Sequence, residues 1–195
     1  LAWPQPGSDA AGDHLVLLGL PLDTPQDDER LGLAGSSFLQ VCHGLCTGRP
    51  PRTDLELEQK VQQALRSGIR AGQISAAHDV SDGGLLVAVA EMAVAAGCGA
   101  QLSVPSAGRL ERLLFAEGGA RVVVSVPEAS WSALQTALQQ AGCPAQSLGR
   151  VQADAQLQLR VGDQNVLDVA IDALAHAHQQ GLPRRLEQPA LGHNG

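Results

Sequence analysis

Short unbroken apolar runs alternate along this chain with amphipathic stretches of helical period, and the two patterns together predict its elements. Residues 14–20 and 121–126 are apolar at consecutive positions, as expected of strands covered on both faces, and the second run is expected at the sheet centre. Residues 74–77, 100–104, 147–152, 155–161 and 165–169 read as further strands, the last two joined as a hairpin across Gly162-Asp163-Gln164. Leu57, Val61, Ala64, Leu65 and Gly68 share one helical face, in a helix opened by Asp54 and stopped by Gly72. Trp131, Leu134, Leu138 and Ala141 mark another, begun at Pro127. Shorter helices are expected from Gly35 through Leu45, broken by Gly48 and Pro50-Pro51, near 109–115, and over 171–180.

Residues 85–96 differ from all of these, carrying a single charge, Glu91, among apolar neighbours before Gly97. A helix apolar on every side is a buried helix. Glu91 therefore reads either as one half of a buried ion pair or as a contact with a missing domain. The order of elements gives an α+β fold in α/β/α layers, a mixed β-sheet flanked by helices. Residues 13–182 are expected to form the domain, 1–12 a linker or remnant of a preceding domain, and 183–195 a flexible tail.

Charge and composition narrow the function classes. The net charge is −7, and Lys60 is the one lysine, so a nucleic-acid surface or an acidic-lipid contact is not expected. No apolar run approaches the roughly 18 residues of a membrane span, and a cytoplasmic protein is expected. Cys42, Cys46, Cys98 and Cys143 lack the spacing of a disulfide scaffold and read as free, buried structural thiols. Cys42-His43-Gly44-Leu45-Cys46 has no second pair to complete four zinc ligands.

The densest chemistry lies in Ala77-His78-Asp79-Val80-Ser81-Asp82-Gly83-Gly84-Leu85, immediately before the buried helix. Ser81 or Asp82 suits the N-cap, and the two glycines let the backbone turn sharply. Free amides at a helix start favour an anion such as phosphate, and Asp79 and Asp82 would suit a magnesium ion beside it. A capped tight turn with no ligand accounts for the same residues equally well.

These residues also carry a family resemblance. The run 77–85 with Ala88-Val89-Ala90-Glu91-Met92-Ala93 closely resembles the signature of the last core domain of the formylglycinamide ribonucleotide amidotransferases, in the aminoimidazole ribonucleotide synthetase superfamily. Gly12-Asp13-His14-Leu15, Gly35-Ser36-Ser37-Phe38-Leu39, Leu114-Phe115-Ala116-Glu117 and Leu148-Gly149-Arg150-Val151 extend it over about residues 12–175. The resemblance implies the superfamily's carboxyl-terminal-domain fold, in its second copy within a longer enzyme. It also implies an ATP-dependent C–N ligase of purine biosynthesis, in which ATP phosphorylates the substrate amide oxygen and glutamine-derived ammonia displaces the phosphate. ATP or ADP and Mg2+ are then expected in the full-length enzyme, none tightly bound to this domain alone, which is expected to be inactive.

By the same resemblance, Asp79 matches a magnesium-linked aspartate of the first copy, and Glu117 the acid of a Glu-Ser-Gln substrate motif. Gly118 and Gly119 stand where that serine and glutamine would be, and Ser37-Phe38 replaces the usual Glu-Tyr after Ser36. The implied substrate or nucleotide groove comprises His78, Ser81, Asp82, Gly83, Gly84, Glu117 and Ser36, with no catalytic residue among them. Implied partners are the remaining synthetase domains, a glutaminase subunit and a small bridging subunit, with self-association of the isolated domain. The alternatives are a non-catalytic scaffolding repeat, or a domain of another superfamily member such as a selenophosphate synthetase or thiamine-phosphate kinase.

Overall fold

The computed structural model describes residues 12–187 apart from 26 and 107, with side chains described as far as residue 181. The elements in chain order are β1 (His14–Gly19), α1 (Ser37–His43), α2 (Leu55–Arg70), β2 (Ala76–Asp79), α3 (Gly84–Ala96), β3 (Gly99–Val104), α4 (Leu110–Phe115), β4 (Arg121–Val126), α5 (Glu128–Gln140), β5 (Ala145–Gln152), β6 (Gln156–Val161), β7 (Gln164–Ala170) and α6 (Ile171–Glu187). The strands form one seven-stranded sheet in the order β2-β4-β1-β5-β3-β6-β7. Every pairing is antiparallel except β3 with β6, so the sheet is mixed, as the element order predicts.

Alternation along β1 and β4 sorts the core into two layers. Val16, Leu18, Val122, Val124 and Val126 meet Val61 and Ala64 of α2 and Leu134 and Leu138 of α5 on one face. Leu15, Leu17 and Val123 meet Leu85, Val89 and Met92 of α3 and Leu113 and Leu114 of α4 on the other, with Ile171 of α6. Each large side chain taken fully out of water here contributes about 1.5–3 kcal/mol, so the two layers supply most of the drive to fold. α3 is buried along one stripe, Leu85, Ala88, Val89, Met92, Ala93 and Ala96, while Leu86, Val87, Ala90 and Val94 on its other side are only half-buried and Ala95 is exposed, so the all-apolar helix is not covered on every side.

Several sequence expectations shift. β4 is buried on both faces but lies one strand in from the β2 edge, and β5 holds the centre. Burial of both faces reports helices above and below a strand, which here holds for β4 and β1, whereas central β5 alternates buried with exposed residues. β2 begins at Ala76 and includes His78 and Asp79, and α6 continues through Pro183 to Glu187. The expected linker before Gly12 and the end of the expected tail lie outside the described residues. Cys143 is buried and Cys98 partly so, but Cys42 and Cys46 are exposed, because α1 buries none of its residues and the segment that follows it is exposed throughout. All four thiols are free.

At the end of the sheet where β1 begins, polar side chains replace apolar packing. Buried Asp13 accepts hydrogen bonds from Ser75 Oγ at 2.8 Å and Ser125 Oγ at 2.9 Å. His14 stacks on Trp131 and faces Glu128 at 3.1 Å, which also pairs with Arg150. The opposite end carries the Ser81–Gly84 turn.

Candidate functional site

β2 ends at Asp79, and the chain crosses that end of the sheet through Val80, Ser81 and Asp82 before α3 begins. Gly83 and Gly84 both have positive φ, 82° and 75°, and a Cβ on Gly84 would lie 2.7 Å from the backbone of Phe115. Both glycines are therefore required by backbone conformation, and Gly84 also by the close approach of the last residues of α4. Gly84 N–H closes the turn onto Ser81 C=O at 3.0 Å.

The turn borders an open groove of about 430 Å3. Asp79, Ser81 and Asp82 form one wall, Glu117, Gly118, Gly119 and Ala120 a second, and Pro51, Glu58 and Gln62 beside and on α2 a third. Asp79 lies on the groove side because it is opposite Val122, on the α2 face of the sheet. Its side chain is 76% exposed. Asp82 and Ser81 are exposed beside it. The groove thus carries four carboxylates, with Arg121 as the single basic residue of its lining.

Two of those carboxylates are already committed to backbone. Glu117 Oε1 accepts from Gly83 N–H at 2.7 Å and from Ser37 N–H at 2.8 Å, so one oxygen serves the N-terminal ends of both α3 and α1. Glu58 Oε2 accepts at 2.7 Å from the N–H of Ala120, itself the one non-glycine residue of positive φ among those described. The N-cap of α3 is accordingly Gly83, and neither Ser81 nor Asp82 caps it. A distant carboxylate supplies the acceptor that sequence reasoning assigns to a neighbour, because the end of α4 packs its backbone against Gly84 and delivers Glu117 two residues later.

His78 and Ser36 also separate from the expected groove. His78 is opposite Val123 and faces the α3 side of the sheet, where its Nε2 meets Glu91 Oε2 at 3.2 Å and its Nδ1 meets Asp79 C=O at 2.7 Å. Glu91 is part-exposed and has this imidazole as a polar partner within the domain. Ser36 is buried at 1% exposure and caps α1, its Oγ accepting from Leu39 N–H and donating to Leu33 C=O. Of the expected residues, Asp79, Ser81, Asp82 and Glu117 meet at the groove, and Gly83 and Gly84 shape its rim.

Sequence reasoning overlooked Arg112 and Arg121. Arg112 is buried and donates to the carbonyls of Thr24, Pro25 and Leu31, pinning the loop between β1 and α1. Arg121 is 2% exposed, donates to Ala116 C=O, and leaves Nε and Nη1 without protein partners. Burial and the nearby Arg112 guanidinium push its pKa down to about 10. The available signal was a charge at the head of a strand covered on both faces. Among the described residues, no three His, Cys, Asp or Glu side chains gather as a metal cage, and no helix is long and apolar enough to cross a membrane.

An α/β/α domain with a mixed sheet, whose strand-end turn faces a ligand-sized groove, is the class that fold and site define. The family model described as "AIR synthase related protein, C-terminal domain" matches residues 10–162, and the chain belongs to that family. It is 49% identical over 190 residues to "Phosphoribosylformylglycinamidine synthase subunit PurL" of Synechococcus sp. (strain WH7803), covering 95% of this chain and 24% of that relative. It therefore spans about a quarter of that relative's length. Among solved structures it resembles Thermotoga maritima PurL complexed with FGAR, with a TM-score of 0.68 and 17% identity over 90% of this chain and 29% of that one. The T. maritima PurL complexed with ATP gives a TM-score of 0.64 and 16% identity over 90% and 27%. These structural likenesses establish the fold.

Proposed function

We propose that the chain acts as the second carboxyl-terminal domain of a PurL-type synthetase subunit, which uses ATP and ammonia to convert formylglycinamide ribonucleotide to its amidine. The observation that carries this reading is the 49% identity across nearly the whole chain to a PurL subunit. The parent enzyme then works with its own remaining domains, a glutaminase subunit that supplies ammonia, and a small bridging subunit, in the cytoplasm.

Within that enzyme the groove beside Asp79 is the place for a nucleotide. Magnesium keeps several waters and takes one or two carboxylates together with phosphate oxygens. Exposed Asp79 and Asp82 fit such partial coordination and do not form a metal centre by themselves. A bound magnesium ion would neutralise phosphate charge in an otherwise acidic groove. Ser81 offers a hydroxyl to the same side, and Gly118 and Gly119 leave the facing wall without side chains.

A scaffolding role is the second reading, favoured by the engagement of the α3 amide by Glu117. Titration of the full-length parent enzyme with magnesium-ADP, before and after Asp79→Ala, separates the two. The nucleotide reading expects at least tenfold weaker binding to this half with unchanged thermal stability. Unchanged affinity would leave the domain as scaffold.

A further inference from the structure

We propose that Glu117 is an internal ligand, whose carboxylate permanently fills the anion position at the N terminus of α3 and so excludes phosphate from it. The inference goes beyond the synthetase reading and holds whether or not the parent enzyme binds nucleotide in this half.

A helix N terminus carries partial positive charge and amides without intrahelical partners. α3 has no acidic residue in its first turn and no side-chain cap of its own, so its need for an anion is unmet locally. Glu117 meets that need from outside the helix, through the 2.7 Å bond to Gly83 N–H. The same oxygen accepts from Ser37 N–H, so it occupies the point where two backbone donors converge.

The segment that delivers this carboxylate has little freedom to withdraw. Glu117 N–H donates to Gly32 C=O at 3.2 Å, and a Cβ on Gly118 would lie 2.5 Å from Arg30 C=O. On the other side, the backbone of Phe115 packs within 2.7 Å of where a Gly84 Cβ would be. A phosphate approaching the α3 amide must therefore displace a carboxylate held between packed backbones. It must do so beside the further negative charges of Asp79 and Asp82. The glycine turn consequently serves to seat Glu117, and a ligand phosphate in the groove must be met elsewhere, on the Asp79–Asp82 side.

The test uses this chain with Glu117→Ala and Glu117→Gln, melted in sodium phosphate, sodium acetate or sodium chloride at matched ionic strength. Glu117→Ala is expected to melt below the wild type and to recover about 3–6 °C in phosphate or acetate at ten times the dissociation constant. The wild type should show only the general stabilisation that excluded anions give any folded protein, and Glu117→Gln, which keeps an amide oxygen acceptor, should respond little beyond that. Equal phosphate stabilisation of wild type and Glu117→Ala, or indifference of Glu117→Ala to both anions, would overturn the assignment. If Glu117→Ala does not fold, amide exchange in the wild type and Glu117→Gln decides. Gly83 and Ser37 amides should be protected in the wild type and somewhat less so in the variant, whose neutral acceptor bonds more weakly than a carboxylate, and wild-type rates as fast as those of open amides would reject the internal ligand.

Discussion

Gly84 and Gly72 share a left-handed backbone, with φ of 75° and 68°, yet sit in opposite surroundings. A Cβ at Gly72 would meet nothing within 4 Å, whereas one at Gly84 would strike the backbone of Phe115 and Leu114. The left-handed conformation alone costs a non-glycine residue about 1–2 kcal/mol. Gly72→Ala should therefore lose about 1 kcal/mol, and Gly84→Ala at least twice that, because a backbone contact has no side-chain rotamer through which to relax. Urea denaturation of the two variants checks this, and equal losses would show that the end of α4 yields easily. Arg112 is a second residue whose neighbours set its weight. Arg112→Ala strands the carbonyls of Thr24, Pro25 and Leu31 near the interior, and a loss of about 3 kcal/mol is expected. Faster amide exchange confined first to the β1–α1 loop would identify the loop as what Arg112 holds.

At the scale of elements, the entry to α2 ties two loops together through charge. Asp54 caps the helix at Leu57 N–H, and Arg30 bridges Asp54 at 3.0 Å and Asp28 at 2.7 Å. Arg30 holds the Asp28 carboxyl down at about 2, from an ordinary 3.8, and the Leu57 amide followed by Arg30 lowers Asp54. Both folded-state values lie below the unfolded ones, so the stabilisation is present above about pH 4 and is lost as pH falls toward 2. Arg30→Ala should flatten that acid-side loss. Urea midpoints at pH 5 and pH 2.5, compared between wild type and variant, test it, and parallel losses would move the acid sensitivity elsewhere. The partial exposure of Arg30 and Asp54 to solvent keeps the effect modest.

Across the whole molecule, the distribution of charge and apolar surface limits what the isolated domain does. The groove's single cation is buried Arg121, and Lys60 lies on α2 paired to Glu56. Phosphoryl transfer needs positioned positive charge around the transferring group, and this groove presents carboxylates. The chain alone should give no detectable amidine product from formylglycinamide ribonucleotide, ATP and ammonia, and measurable turnover would refute this. Residues 40–50 are all exposed, with Val41 at 82%, and Leu55 follows at 76%. This segment is anchored at one end by Ser36, Ser37 and the stacking of Phe38 on Phe115. Concentration-dependent self-association is the expected consequence, reduced by Val41→Asp with Leu55→Asp. Sedimentation under reducing conditions checks it, and a strict monomer for the unsubstituted chain would show that the segment tolerates water.

The sequence by itself determined the elements, because apolar period, Asp54, Gly72 and the proline breaks act over a few residues. It also determined the two-faced burial of β1 and β4 and the family signature from Ala77 to Leu85. Tertiary structure alone decided the order of strands, since two-faced burial follows where helices cover the sheet, over β4 and β1, and not the central position, where β5 keeps one face exposed. It alone decided which side of β2 each residue faces: Asp79 goes to the groove and His78 to Glu91, because adjacent strand residues point oppositely and local sequence does not say which face is open. Glu117 at the start of α3 belongs to the same class. Its carboxylate and the Gly83 amide are separated by 34 positions, and only the packing of Phe115 against Gly84 brings them to 2.7 Å.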